Sequence, residues 1–439
     1  MRTLFLVASM LQSALARSPL ASRTDGDAQA AIDDPNRWMS IEERFAAWLA
    51  LHSSTSLHSA TTGSIEAFAR SAAHVDRRNR ERTQGKSAMT LSLNRFAAHT
   101  DAEFAAQGWA GHAKVGDGGS HATSAALWPA ASVPPAVDWV KAGKVTPVRN
   151  QGSCGSCWAF SATGAVEGAA AIATGSLVEL SPQELVSCGP APEMKACYGG
   201  DSGAALRWIA TNGGQDTESD YPYTAMADRC NFRKQHSAKK MTISGGKAVP
   251  RASPAAMLAA AASAPVSVAI AAGGLDFRYY KGGIFNGTCG SSLLDLNHGV
   301  LLIGYTLDDH GAGAASGVLR IKNSWGTAWG EDGFIRLPYS SSDANGTCGI
   351  NLFGWLAEGA RAAPPSPPLP PPPRCSSYWS CDYNTTCCCS HKILGSCTGT
   401  WSCCSPAQTC DRASASSPSS LRLGSTYACR NATAVDRLY

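Results

Sequence analysis

The stretch Gln151-Gly-Ser-Cys154-Gly-Ser-Cys157-Trp-Ala-Phe-Ser161 sets two cysteines three residues apart, where a Gly/Ser loop gives way to an Ala-rich run closed by Gly175. Such a run reads as one helix with glycine at its end. Cys157 therefore stands at a loop-to-helix junction, where the positive end of the helix dipole favours a thiolate over a thiol. The Cys154–Cys157 spacing also opens a zinc reading. No second pair at that spacing follows before residue 348, so the metal reading has no partner set and no metal is expected.

Cysteine usage sharpens this. The chain has 17 cysteines: none before Cys154, seven from Cys154 to Cys348, and ten from Cys375 to Cys429. Such density suits an oxidising compartment. Seven is odd, so pairing six in the middle block leaves one free thiol.

A thiol that attacks an amide needs a proton donor for the leaving amine and donors for the oxyanion that forms. Downstream, His298 lies in Leu296-Asn297-His298-Gly299 ahead of an apolar run, and Asn323 lies in Lys322-Asn323-Ser324-Trp325-Gly326 after another. Gln151 stands six residues before Cys157. Cys, His, Asn and Gln in this order, within these segments, resemble the active site of the papain family of cysteine proteases, and the likeness runs from Val133 to about Leu356. The resemblance implies an α+β, two-lobed papain-like fold with a cleft between a helical lobe and a β-barrel-like lobe. It implies Cys157 as nucleophile, His298 as acid and base, Asn323 as the group orienting the imidazole under the shield of Trp325, and Gln151 with the Cys157 N–H as the oxyanion site. It also implies the disulfides Cys154–Cys197, Cys188–Cys230 and Cys289–Cys348, leaving Cys157 free. Gly199 and Gly200 would form the substrate-binding edge. Asp201, Ser202, Ala269, Leu296 and Phe353, with Asn297 and Trp325 nearby, would line the substrate site and prefer small or medium apolar side chains. No long insertion separates Cys188 from Cys197, which favours an endopeptidase.

Upstream, Arg2, the apolar run Leu4–Leu11 and Ala14-Leu15-Ala16 form an export signal over residues 1–16. Residues 36–107 resemble an inhibitory propeptide. Ile41, Phe45, Trp48 and Leu49, then Ile65, Phe68, Ala72 and Val75, recur at helical spacing, and a strand-like Met89–Leu93 precedes Asn94-Arg95-Phe96. Phe68, Val75, Asn79, Asn94 and Phe96 match that family's propeptide motifs. Ala60, Ser64, Ser71, Ser92 and Ala98 stand where it has other residues. Residues 108–132 read as an exposed, cleavable joint, and 133–360 as the peptidase domain. Within it, Ser181-Pro-Gln-Glu184 carries a capping-box-like helix start.

Beyond it, residues 361–374 read as a linker. Pro364–Pro373 holds eight prolines in ten residues, enough for a stiff spacer. In the tail, 375–439, the repeated Cys and Cys-Cys spacings resemble a truncated or diverged granulin module, a ladder of short hairpins held by disulfides. Asn286, Asn345, Asn384 and Asn431 fit the N-glycosylation pattern. A net charge of +4 in 439 residues gives no support for nucleic-acid partners. No run reaches the ~20 apolar residues that spanning a membrane requires.

These features predict a monomeric cysteine endopeptidase of the secretory pathway, lysosomal, vacuolar or extracellular. It is made as a zymogen, uses no cofactor, and has protein and peptide substrates, its own propeptide and cystatin-like inhibitors as partners. The competing reading makes the tail the active part, with the protease half as scaffold for a binding or signalling protein. Intact Gln151, Cys157, His298 and Asn323 argue against it.

Overall fold

The computed structural model describes residues 29–30, 32–34, 40–52, 62–110, 133–231, 240–308 and 315–362, together with the backbone of short strands between 386 and 431. The export signal, Ala60, Asn384 and the Pro-rich run lie outside the described residues.

The N-terminal segment builds helices α1 (Ile41–His52) and α2 (Thr62–Thr83), strand β1 (Thr90–Leu91) and helix α3 (Asp101–Ala106). The helical spacing in the sequence places Phe45, Trp48 and Phe68 on facing stripes, and their rings meet at 5.3–5.9 Å. Each large side chain buried this way contributes roughly 1.5–3 kcal/mol. Asn79 on α2 clamps β1, accepting from Leu91 N and donating to Leu91 O, both at 2.9 Å. α3 carries a full capping box between Thr100 and Glu103.

The main body begins with β2 (Ala136–Asp138). It continues through α4 (Cys157–Thr174), α5 (Pro182–Cys188), α6 (Ser202–Thr211), β3 (Gln215–Asp216), β4 (Lys240–Thr242), β5 (Gly245–Ala248), α7 (Pro254–Ser263), β6 (Val266–Ile270), α8 (Leu275–Arg278) and β7 (Tyr280–Gly282). It closes with β8 (His298–Leu307), β9 (Ser316–Lys322), β10 (Phe334–Ser340), a 3-10 turn (Thr347–Leu352), β11 (Gly354–Glu358) and β12 (Arg361–Ala362). One antiparallel sheet runs β10-β9-β8-β6-β11-β5, with β2 added on β8. β6 and the first eight residues of β8 are buried throughout, as central strands covered on both faces should be, whereas β9 and β10 alternate.

Two apolar clusters define the lobes. One joins α4, α5 and α6 through Trp158, Leu185, Leu206 and Trp355. The other joins the sheet to the N-terminal segment through Phe45, Trp48, Phe68, Phe96, Tyr279 and Trp325. α4 is the pivot. It is buried almost all round because its run of Ala and Gly lets the sheet approach closely. A Cβ on Gly299 would stand 3.1 Å from Trp158 Cα, which brings the start of β8 directly onto the start of α4. β1 extends the sheet lobe by pairing antiparallel with β7, Thr90 opposite Gly282.

Three expectations change. Gly108, Trp109 and Ala110 are buried, so the exposed joint cannot begin at residue 108; the low-complexity composition hid a docking tripeptide. Arg361 and Ala362 are not linker: they pair with Thr242 and Met241, so the compact body reaches beyond residue 360. At α5, Ser181 caps Glu184 N at 3.0 Å, but the Glu184 carboxylate does not return to the cap. It accepts instead from the buried Asp216 N at 2.7 Å and from Asn212 Nδ2 at 3.2 Å.

The chain divides into two compact units, the second drawn mainly from residues after Pro365. Its described strands form antiparallel pairs. Thr386–Cys389 pairs with Trp401–Cys404, and Gln408–Arg412 with Ser425–Asn431, in a register that sets Cys410 opposite Cys429.

Candidate active site

The three disulfides form as Cys154–Cys197, Cys188–Cys230 and Cys289–Cys348, and Cys157 is the free cysteine among them. Cys154 is thereby removed from any metal-binding pair. Cys157 opens α4 and is fully buried. Burial pushes its thiol up to about 11, against the opposing pull of backbone N–H groups from Gly299, Trp158 and Cys157 itself.

His298 opens β8 and is also fully buried. Its Nε2 meets Asn323 Oδ1 at 2.8 Å. Burial pushes the imidazole down to about 4, while the Asn323 bond pulls it back up. Nδ1 has no hydrogen-bond partner among the described residues, which leaves that nitrogen for exchange with a thiol. The Trp325 ring lies 4.9 Å from the imidazole, centroid to centroid, and covers it; Phe277 stands edge-on at 6.3 Å.

Gln151 is buried and oriented from both ends. Its Oε1 accepts from Ser324 Oγ at 2.7 Å, its backbone N donates to Ser324 O at 2.8 Å, and Nε2 donates to Cys154 O at 2.9 Å. That leaves the amide N–H groups facing the turn that carries Cys157. Nε2 also reaches Gly108 O at 3.4 Å, so a carbonyl of the N-terminal segment sits where a substrate carbonyl could be polarised. Gly108 is seated tightly, with φ +71° and a Cβ position only 2.8 Å from Gly155 Cα. Trp109 locks the segment down, donating from Nε1 to Gly152 O at 2.8 Å and accepting at its carbonyl from Trp325 Nε1 at 3.0 Å.

Of the residues expected to line the substrate site, Ala269, Leu296 and Phe353 share one apolar cluster. Gly200 is required, because a Cβ there would lie 2.6 Å from the Trp158 ring; Gly199 adopts φ +98°. Asp201 and Ser202 are buried, and the Asp201 carboxylate accepts from Ala204 N at 2.8 Å as the cap of α6. Asn297 Oδ1 accepts from Ala272 N at 2.9 Å, which makes that amide part of the framework. Of the glycosylation positions, Asn286 is exposed and accepts from Ser87 Oγ at 2.9 Å, whereas Asn345 Nδ2 is held by Ser291 O at 2.9 Å.

Sequence reasoning missed Ser324, Tyr223, Phe277 and the Gly108–Trp109 pair. Ser324 adjoins Asn323 and was the easiest to suspect. The others come to the site only through long-range folding.

Comparison with known proteins then defines the class. Residues 133–354 match the profile described as papain family cysteine protease, and the chain belongs to that family. Among its relatives, "Cysteine protease 1" of Oryza sativa subsp. japonica is 42% identical over 335 residues, 75% of this chain and 66% of that protein. "Probable cysteine protease RD21C" of Arabidopsis thaliana is 42% identical over 284 residues, 60% of its length. The chain thus spans somewhat under two thirds of these two relatives. "Probable cysteine protease RD21B" of Arabidopsis thaliana is 37% identical over 405 residues, 86% of this chain and 81% of that protein. Among solved structures, procathepsin L 3 of Tenebrio molitor larval midgut superposes with a TM-score of 0.61 at 31% identity, covering 73% of this chain and 100% of that one. The recombinant stem bromelain precursor gives 0.60 at 31%, covering 72% and 98%. The fold is papain-like, with the N-terminal segment in place as in these precursor structures.

Proposed function

We propose that the chain is a cysteine endopeptidase exported as a zymogen. The observation that supports this is the start of β8, with His298 paired to Asn323 at 2.8 Å, lying against the start of α4 with its free Cys157, beside a Gln151 amide that already holds the Gly108 carbonyl. Once residues 36–110 leave, water and substrate replace the segment. The thiol then passes its proton to His298 Nδ1, and the thiolate attacks the scissile carbonyl. The Gln151 amide and the Cys157 N–H stabilise the oxyanion. The imidazolium protonates the leaving amine, and neutral His298 then draws a proton from water as it hydrolyses the Cys157 thioester. Asn323 keeps the imidazole aimed, and Trp325 keeps water from that bond.

Substrates run along Gly199 and Gly200, with Ala269, Leu296 and Phe353 forming a shallow apolar pocket. The export signal and the cysteine density support a place in the secretory pathway, and the cysteine spacing of residues 375–439 supports a granulin-like module. The test is direct. After acid processing, a thiol-directed peptide epoxide should label Cys157 and abolish hydrolysis, while Cys157→Ala should be neither labelled nor active. Full activity in Cys157→Ala would remove this mechanism.

A further inference from the structure

Tyr223 lies outside the residues given a chemical role above, yet its phenol touches both ends of the nucleophile's loop. Its hydroxyl donates to the backbone carbonyl of Gln151 at 2.8 Å and meets Ser156 Oγ at 2.5 Å. With its single proton spent on the carbonyl, the phenol accepts from the serine. Ser156 is the residue before α4, the place where a serine hydroxyl ordinarily caps the helix, but here it makes no such bond to the helix. Its hydroxyl is committed to Tyr223, with only a long 3.4 Å contact to Cys154 O besides.

The phenol is itself held rigidly. Tyr223 N donates to Glu218 Oε1 at 2.8 Å, Glu218 pairs with Arg149 at 3.0 Å, and Arg149 stands over the Phe160 ring at 5.4 Å. Phe160 meets the Tyr223 ring edge-on at 4.8 Å. Burial raises the phenol's ionisation well above its ordinary range, so it stays a donor at any working pH.

We propose that Tyr223 is a positioning residue for the oxyanion site: by tying Gln151 O to Ser156 Oγ it fixes the spacing between the Gln151 amide and the Cys157 N–H. Ser324 aims the Gln151 side chain, and Tyr223 sets the backbone that carries it. The proposal rests on the protease reading above. It predicts an effect confined to the tetrahedral state, because the groups that hold a planar substrate, Gly199, Gly200 and the apolar pocket, make no bond to Tyr223.

The experiment compares processed parent enzyme with Tyr223→Phe, which removes one oxygen. Three ligands are used: a peptide amide substrate, the matching peptide aldehyde, and the matching alcohol. The thiolate adds to the aldehyde carbon, forming a C–S bond, and the carbonyl electron pair moves to the oxygen, which then sits in the oxyanion site. The alcohol forms no such adduct. Losing a direct oxyanion donor costs about 100-fold or more in kcat, so an indirect loss of alignment should cost about tenfold, with KM changed less than about twofold. Aldehyde affinity should fall by a similar factor while alcohol affinity holds. In a Gln151→Ala background, adding Tyr223→Phe should cost less than about twofold more, since the donor it aims is gone. Equal losses for aldehyde and alcohol, full additivity with Gln151→Ala, unchanged kinetics, or a zymogen that no longer accumulates folded would each overturn the proposal. A parent enzyme without Cys157-dependent hydrolysis would instead bring down the protease reading on which it rests, so the two failures are distinct.

Discussion

Burial holds Cys157 and His298 in their uncharged forms, one pushed up to about 11 and the other down to about 4. A thiolate–imidazolium pair is therefore disfavoured in this closed arrangement. The Asn323 bond is the one contact that raises the His298 value. Asn323→Ala should lower kcat/KM of the processed enzyme by about 10- to 100-fold. The sign of the pH effect follows from the same bond. Without it the imidazolium loses its proton more readily, so the alkaline limb of the pH–rate profile moves to lower pH; a limb that stays put would remove Asn323 from the mechanism. At this scale the sequence was informative. The residue types at positions 151, 157, 298 and 323 carry their chemistry in their identities. Ser324 and Tyr223 do not, because a serine and a tyrosine acquire their roles here only from what folding sets beside them.

At the scale of elements, the N-terminal segment docks partly through short pieces held by their backbone. α1 and α2 were readable because apolar residues recur at the helical period. β1 supplies only two paired residues, and its partner strand lies almost 190 positions on, a match no local pattern encodes. Gly108-Trp109-Ala110 was misread for a related reason: a Gly- and Ala-rich run looks like a joint, yet it is buried because Gly155, Gly152 and Trp325 receive it. Gly108 is the sensitive point. Its positive φ and 2.8 Å approach to Gly155 leave no room for a methyl group. Gly108→Ala should lift the segment from the cleft without touching a catalytic group. The unprocessed variant should then take up peptide epoxide at Cys157 at least about tenfold faster than the parent zymogen, the change expected from about 1.4 kcal/mol of strain. Identical labelling rates would show that the segment tolerates the methyl group and does not seal the site at this position.

At the scale of the whole molecule, the seal is expected to respond to pH. The boundary near residue 360 was not legible in the sequence because β12 pairs with β4, a strand about 120 positions earlier. Two histidines, His298 fully buried in the main body and His52 half-buried on α1, are each pushed from an ordinary 6.5 to about 4 by burial; the Arg95 charge adds to the effect at His52. In an opened form that exposes both rings, each would regain its ordinary affinity for protons. The open form therefore binds more protons than the closed form between those values, and the closed form loses stability as pH falls from 6.5 through about 4. Asp276 works in a lower window. Its carboxylate is held below its ordinary value while it accepts from Arg78 Nε at 3.0 Å and meets His74 Nε2 at 2.9 Å, so this clasp on α2 survives until the pH drops past the usual carboxylate range. Asp33, pushed up by burial, takes protons in the closed form and opposes the drift. The histidines are therefore expected to set the onset of opening, and His52 can be changed without disturbing catalysis. His52→Gln, which removes one of the two sites of proton uptake, should shift the midpoint of zymogen processing down by roughly half a pH unit or more. The check is the rate of epoxide labelling of Cys157 from pH 7 to pH 4, followed in parent and variant zymogens. An unshifted midpoint would assign the acid response to other groups.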